Sequence, residues 1–376
     1  MELKETQKKR IYAIMHVPPP IHGASKVGEF IRDNERINQS LNIIYSPIKI
    51  AKNIEDIGRF SFNKLFFSFA HLIRITLDLF KYKPDFIYFT ASPGGFAFYR
   101  DCLFMIPIRA YSRFYKKKYY LHFHAKGIKK FILKSFLNKL LGRLLFSRAN
   151  LILLDKSLCS EYIDFIDLSK INYLPNCVED PFKEKQFEEY IEEKFKNKNE
   201  DISFLYLANM IESKGYKKIL DFAACQRNHN YKFNFAGAWD SEKTESYFFS
   251  FLDSENLLDL VKYHGVVAGE EKRKLFESAD IFLFPTNYHR ESFPLCVIEA
   301  LSYGVPVIST KVGAIPNMLT PQVGIVMESA EDTNYYLDEI NEYLIDFKTA
   351  LQARKHYLEN FSTAEFERRF VRLFRD

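Results

Sequence analysis

Cysteine is sparse in this 376-residue chain. Five stand at Cys102, Cys159, Cys177, Cys225 and Cys296, an odd number at wide spacings, with no CxxC pair and no Cys/His cluster. That spacing argues against a disulfide framework and a zinc site, so reduced, buried thiols are expected. Long uncharged apolar runs are also missing. The longest candidate, residues 60–80, is interrupted by Lys64, Arg74 and Asp78, short of the ~18 apolar residues that mark a membrane span. The charged opening, Met1 to Arg10, runs directly into the strand-like IYAIMHV, so no secretory leader is expected and the predicted location is cytoplasmic. There is no repeat of solenoid period, no low-complexity tract, no Asp-x-Asp at a strand end and no RNA-binding signature. The expectation is therefore no protein-bound metal, no cofactor and no nucleic-acid partner.

What is present is apolar and aromatic material for two cores: 47% of residues are hydrophobic and 16% aromatic. The length fits two domains better than one. Short β-rich runs alternate with amphipathic stretches, the pattern of parallel α/β units. Strands are predicted at Ile11–Val17, Asp85–Thr90, Tyr119–Phe123, Leu151–Leu154 and Ile171–Leu174. A second set is predicted at Ser203–Ala208, Lys232–Ala236, Val261–His264, Ile281–Phe284 and Pro306–Ser309. The Glu-, Lys- and Asn-rich stretch 180–201 reads as an exposed linker. The expected division is thus 1–179, linker 180–201, 202–358, and a final helical segment 359–376. In that segment, Ser362 with Glu365 suggests a capping box ahead of Phe366, Phe370 and Phe374 on one face. Such a helix is expected to pack back on the first domain.

Charge divides unevenly. Residues 1–180 hold 29 Lys+Arg against 16 Asp+Glu, and the remainder holds 24 against 32. A basic first half suits an anionic partner such as a membrane surface or a phosphorylated acceptor. Residues 129–148 read as one amphipathic helix with Lys130, Lys134, Lys139 and Arg143 off its apolar face. The readings are a core-facing helix or an interfacial one on anionic lipid. Residues 60–80 are expected to face the core.

The densest chemistry lies between Tyr263 and Leu319. The predicted strand IFLFP ends in a loop carrying Arg290 and Glu291, and a helix begins near Pro294. Glu299 lies on that helix, eight residues beyond Glu291. Both carboxylates would face the C-terminal edge of a parallel sheet, where open α/β sheets bind ligands. Ionised carboxylates accept hydrogen bonds from vicinal hydroxyls. Backbone N–H groups around Ser292–Leu295 (those of Ser292, Phe293 and Leu295, on either side of Pro294) at a helix start suit a diphosphate or a polar sugar.

The stretch RESFPLCVIEALSYGVPVIST, with HGVV and ESADIFLFP before it and VGAIPNM after it, resembles the E-x7-E region of retaining glycosyltransferase family 4, of fold type GT-B. Ala208-Asn209-Met210-Ile211-Glu212-Ser213-Lys214-Gly215 resembles the family's phosphate-contact element, with Lys214 at its lysine and Asn209 where the family carries arginine. LPNCV at 174–178 resembles the family's domain-junction segment. His122-Phe123-His124-Ala125-Lys126-Gly127 resembles a strand end whose histidine lies beside the donor sugar. Pro18 to Ala24, with His22 and Gly23, resembles the first loop on the acceptor side.

The resemblance implies an α/β protein of two Rossmann-like domains facing a cleft, with a nucleotide-sugar donor (UDP- or GDP-sugar) held by the second. It implies Lys214 on the diphosphate, Glu291 and His124 on the transferred sugar, and Glu299 on the ribose. Asn209, Gly237, Arg290 and residues 292–295 complete the donor side; His22, Gly23, His122 and Lys126 border the acceptor. Arg290 is the candidate replacement for the missing arginine. The acceptor would be a saccharide or lipid-linked saccharide in surface polysaccharide or lipopolysaccharide synthesis. Two alternatives stay open: a sugar-nucleotide epimerase on the same architecture, and a non-catalytic partner, favoured by Asn209.

Overall fold

The computed structural model describes residues 8–19, 23–48, 62–182, 186–198, 200–226, 230–333 and 345–375. The chain divides into two compact units, residues 1–176 with 366–376, and residues 177–365.

Unit 1 is built on six parallel strands: β1 (Arg10–His16), β2 (Asn42–Ile48), β3 (Phe86–Ala91), β4 (Lys118–Phe123), β5 (Asn150–Leu153) and β6 (Ile171–Tyr173). Their order is β2-β1-β3-β4-β5-β6. Interior strands read as unbroken apolar runs because helices cover both sheet faces, and every residue of β3 is buried. The last helix, Thr363–Leu373, completes this unit. The Ser362 hydroxyl accepts from the Glu365 N–H at 3.3 Å, which starts the helix. Phe366 then meets Phe30 at 5.4 Å, Phe370 meets Tyr88 at 5.5 Å, and Phe374 meets Tyr120 at 5.3 Å between ring centroids. The expected return of the C-terminal helix to the first domain is found.

Unit 2 carries β7 (Ile202–Leu207), β8 (Tyr231–Ala236), β9 (Val261–Tyr263), β10 (Ile281–Phe284), β11 (Val307–Thr310) and β12 (Gly324–Met327). They lie all parallel in the order β12-β11-β10-β7-β8-β9. Chain order therefore reverses between β7 and β10, so the loops leaving those two strands meet at the sheet's switch point, where open α/β sheets bind ligands.

The structure departs from expectation in four places. Strands β2 and β12 went unpredicted, and both are sheet edges. Ser46 and Pro47 break the apolar run of β2, and β12 is four residues long and opens on a glycine. Residues 180–201 are no free linker. Helix Gln186–Lys196 buries Phe187 and Ile191 against Ala350, and Asp180 pairs with Arg354 at 2.7 Å. The stretch 129–148 forms two helices, Ile128–Leu133 and Phe136–Phe146, because the extended Ser135 caps the second through the Asn138 N–H at 3.1 Å. The stretch expected to face the core begins at residue 60, and residues 60 and 61 lie outside the described residues. From 62 on it does not turn its apolar side wholly to the core: in helix Phe62–Tyr82, Phe66, Phe69, Leu77 and Phe80 are exposed.

Candidate active site

Two loops at the unit 2 crossover position the charged groups. After β7, the chain makes a single tight turn, Glu212–Lys214, and leaves it through Gly215 in the left-handed region. A Cβ on Gly215 would stand 2.2 Å from the Pro285 carbonyl oxygen, so only glycine lets this loop press on the one after β10. The contact is locked by the Asn287 N–H, which donates to the Ser213 carbonyl at 2.8 Å. The β10 loop is braced from its other side. Ser309 Oγ donates to the Phe284 carbonyl at 2.6 Å, and the Ala314 N–H donates to the Ser292 carbonyl at 2.8 Å. Glu291 is thus held between two fixed neighbours, and helix Leu295–Ser302 follows directly.

Within this frame Lys214 Nζ lies 3.5 Å from Glu291 Oε2, with the Tyr288 ring 5.6 Å away. One turn into the helix region, Glu299 Oε1 accepts from Lys272 Nζ at 2.5 Å. All four side chains keep between 13 and 23% of their surface in water, so each remains reachable. Cys296 lies within the field of both pairs. Burial, and then the Glu291 carboxylate, push its thiol up to about 12, so it stays protonated and is no nucleophile.

The other expected donor-side residues are placed as follows. Asn209 and Arg290 are exposed. Ser292, Phe293 and Pro294 are buried where the helix begins, and Leu295 opens it. Gly237 does not present its backbone outward. Its N–H donates to the Gly265 carbonyl at 2.9 Å, and its carbonyl accepts from the Tyr263 hydroxyl at 2.7 Å. The glycine is required because a Cβ would meet the Ala208 carbonyl oxygen at 1.9 Å.

In unit 1, His22 lies outside the described residues, and Gly23 opens helix Gly23–Asp33 with nothing near its Cβ position. His122, expected on the acceptor side, is fully buried instead. Its Nδ1 lies 2.7 Å from the Tyr88 hydroxyl, and burial drives its pKa well below the ordinary value, so it is a neutral core imidazole. Alternation put it on one face with His124, and the two rings do stand 4.0 Å apart, but His124 is only half-buried. Lys126 is likewise half-buried. Among the described residues no three His, Cys, Asp or Glu side chains come together as metal ligands would.

Lys272 escaped the sequence reading. It lies 27 residues before Glu299 in GEEKRKLFES, where nothing distinguishes it from its charged neighbours.

Residues 187–357 match the family model for Glycosyl transferases group 1. That span contains both ion pairs. An uncharacterized 41.2 kDa protein in the cps region of Klebsiella pneumoniae is 26% identical over 169 residues, which cover 45% of this chain and 43% of that protein. The chain spans less than half the length of the curated relatives it matches. A glycosyltransferase from Rickettsia africae superposes with a TM-score of 0.72 at 15% identity, over 98% of both chains. HepE from Anabaena, solved in complex with UDP, superposes with a TM-score of 0.67 at 12% identity, over 97% of this chain and 99% of that one. These likenesses establish the fold as the GT-B type expected from the sequence.

Proposed function

We propose that the protein is a retaining glycosyltransferase. It moves a hexose-type sugar from a UDP- or GDP-sugar to a saccharide or lipid-linked saccharide, in the building of a surface polysaccharide or lipopolysaccharide. The observation that carries this reading is the Lys214–Glu291 pair beside the Lys272–Glu299 pair at the sheet crossover. The cps region that houses the Klebsiella relative supports the polysaccharide assignment.

In this reading the bond between the anomeric carbon and the phosphate oxygen breaks. The nucleoside diphosphate departs with one more negative charge, and the sugar becomes oxocarbenium-like. A fixed cation aimed at that growing charge lowers the barrier, and Lys214 is the group we assign to it. The N–H groups where helix Leu295–Ser302 begins add to the same field. Glu299 accepts from the ribose hydroxyls and Glu291 from those of the transferred sugar. The acceptor hydroxyl forms its bond on the face the diphosphate leaves, and its proton passes to the departing phosphate oxygen. Retention then needs no dedicated base, and no protein-bound metal or cofactor is invoked. His124 is retained as the contribution of unit 1 to transfer. The setting is the inner face of the cell membrane, with the protein peripheral.

The test is a thermal-shift screen of UDP, GDP and ADP with their sugars, followed by turnover with a matched acceptor. A ligand at 100 times its Kd adds roughly 2.7 kcal/mol of stability. Binding without turnover would indicate a non-catalytic partner, favoured by the uncharged Asn209. Interconversion of nucleotide sugars without acceptor would indicate an epimerase.

A further inference from the structure

Three helices of unit 1 pack side by side: Phe62–Tyr82, Gly95–Tyr115 and Phe136–Phe146. The Phe80 ring meets that of Tyr111 at 6.2 Å, and the Tyr99 hydroxyl donates to Asn138 Oδ1 at 2.9 Å. Each helix buries one side, and each carries a second apolar stripe in water. On the first, Ile75 and Leu79 are buried, while Phe66, Phe69, Ile73, Leu77 and Phe80 recur every three or four residues and stay exposed. On the second, Leu103, Ile106 and Phe114 are exposed, on the third Phe136, Leu137 and Leu140; Phe114 and Phe136 keep 83 and 84% of their surface in water. A protein that works alone in water seldom leaves so much apolar surface uncovered.

Charge says what covers it. Residues 62–146 hold sixteen Lys and Arg against three acidic residues, all Asp. Each of the three is already matched by a base. Asp78 lies 3.4 Å from Arg74, Asp85 lies 2.8 Å from Lys117, and Asp101 lies 2.6 Å from Arg100. The acids of this segment therefore cancel none of its remaining cations. Lys130, Lys134, Lys139 and Arg143 are exposed among the apolar residues of the third helix and of the short helix Ile128–Leu133 and its end before it. Among the described residues no helix is long and apolar enough to cross a membrane.

We propose that this three-helix face docks on an anionic phospholipid bilayer, lying in the plane of the interface. The phenylalanines and leucines enter the boundary between headgroups and acyl chains, and the lysines and arginines lie against lipid phosphates. The proposal deepens the membrane setting given above and rests on that reading for its biological purpose, whereas the binding itself does not depend on sugar transfer.

Co-sedimentation of the full chain with vesicles tests it, using phosphatidylcholine alone and phosphatidylcholine mixed with phosphatidylglycerol. The wild type should bind the anionic vesicles and leave them as salt rises. The triple variant Phe66→Ser, Phe114→Ser, Phe136→Ser should bind at least about tenfold more weakly. Each of Lys134→Gln, Lys139→Gln and Arg143→Gln should cost about fivefold. All of these side chains point to water, so the variants should keep the wild-type melting temperature and the wild-type rate on a water-soluble acceptor. Equal binding to neutral vesicles, or none to anionic ones, overturns the proposal. So does a dimer in lipid-free solution that the triple variant abolishes, because the face would then be an interface between copies. Vesicle binding by a protein that transfers no sugar would leave the docking intact and remove the catalytic reading; transfer without vesicle binding would do the reverse.

Discussion

The Lys214 ammonium and the Glu291 carboxylate stand 3.5 Å apart, each on its own loop, and the two loops are fastened together through Ser213 and Asn287. Neither side chain has to search for its position. Without ligand each offsets the other's charge, so the cation is held in place without a buried, uncompensated charge. In the proposed reading, a diphosphate arriving at Lys214 would release Glu291 to accept from hydroxyls instead.

Replacing Lys214 is therefore expected to damage chemistry more than binding. Its contact strengthens as charge moves onto the leaving diphosphate, so Lys214→Ala should lower kcat by about 10²–10³ with a smaller effect on KM. Steady-state kinetics on a folded variant, checked by circular dichroism, measures this. Full activity in the variant would remove the diphosphate from this corner of the sheet.

The two carboxylates should separate in calorimetry. Glu299→Ala is expected to weaken binding of the nucleoside diphosphate and of its sugar conjugate together, since ribose hydroxyls are common to both. Glu291→Ala should spare the nucleoside diphosphate and depress turnover. Lys272→Ala should behave as a weaker Glu299→Ala, because Glu299 loses the ammonium at 2.5 Å that orients it. The opposite pattern for the two glutamates would mean that their roles are exchanged.

Gly237 is expected to report on folding and not on ligand. Gly237→Ala places a methyl group 1.9 Å from the Ala208 carbonyl at a φ of +147°, and the backbone must move. A loss of about 2–4 kcal/mol is expected from overpacking combined with backbone strain. Urea denaturation measures it. An unchanged midpoint with lost nucleotide binding would return Gly237 to the donor side.

Acid should loosen unit 1 through His71. Burial first, and then Arg74 and Arg100, hold its pKa at about 4, against 6.5 for the free side chain. The unfolded chain therefore binds a proton below 6.5 that the folded chain refuses. The associated stability is present in full above pH 6.5 and is lost as pH falls from 6.5 toward 4. His71→Gln should flatten that part of the curve of unfolding free energy against pH, measured by urea titration at several pH values. A slope identical to wild type would place the acid sensitivity elsewhere.

Ten of the twelve strands among the described residues were legible, the interior ones because strands covered on both faces read as apolar runs that stand out in any sequence. The two missed ones, Asn42–Ile48 and Gly324–Met327, are edges: Ser46 and Pro47 break the first apolar run, and the second opens on a glycine. Lys214, Glu291 and Glu299 were legible through the residues around them. Lys272 was not, because its partner is reached through space and its own helix is charged on several sides. Periodicity marked the apolar stripes of residues 62–82 without telling which stripe meets the core. His122 and His124 share one face of a strand end, two residues apart, yet the first is wholly buried and the second only in part. Burial of that kind depends on Tyr88 and on the distant Phe370, which local sequence does not contain.

The helix that covers Tyr88 and Tyr120 also imposes an order on synthesis. Unit 1 has its six strands once Tyr173 has been made, but Phe366 and its neighbours follow only after the whole of unit 2. At ribosomal speed of about 5–20 residues per second, that interval is on the order of tens of seconds. For that time the nascent first sheet waits with an aromatic face uncovered, while the sheet that holds Lys214 and Glu291 can emerge and close. A chain halted at residue 176 should accordingly need a chaperone to stay out of aggregates, whereas residues 177–365 carry their own cover.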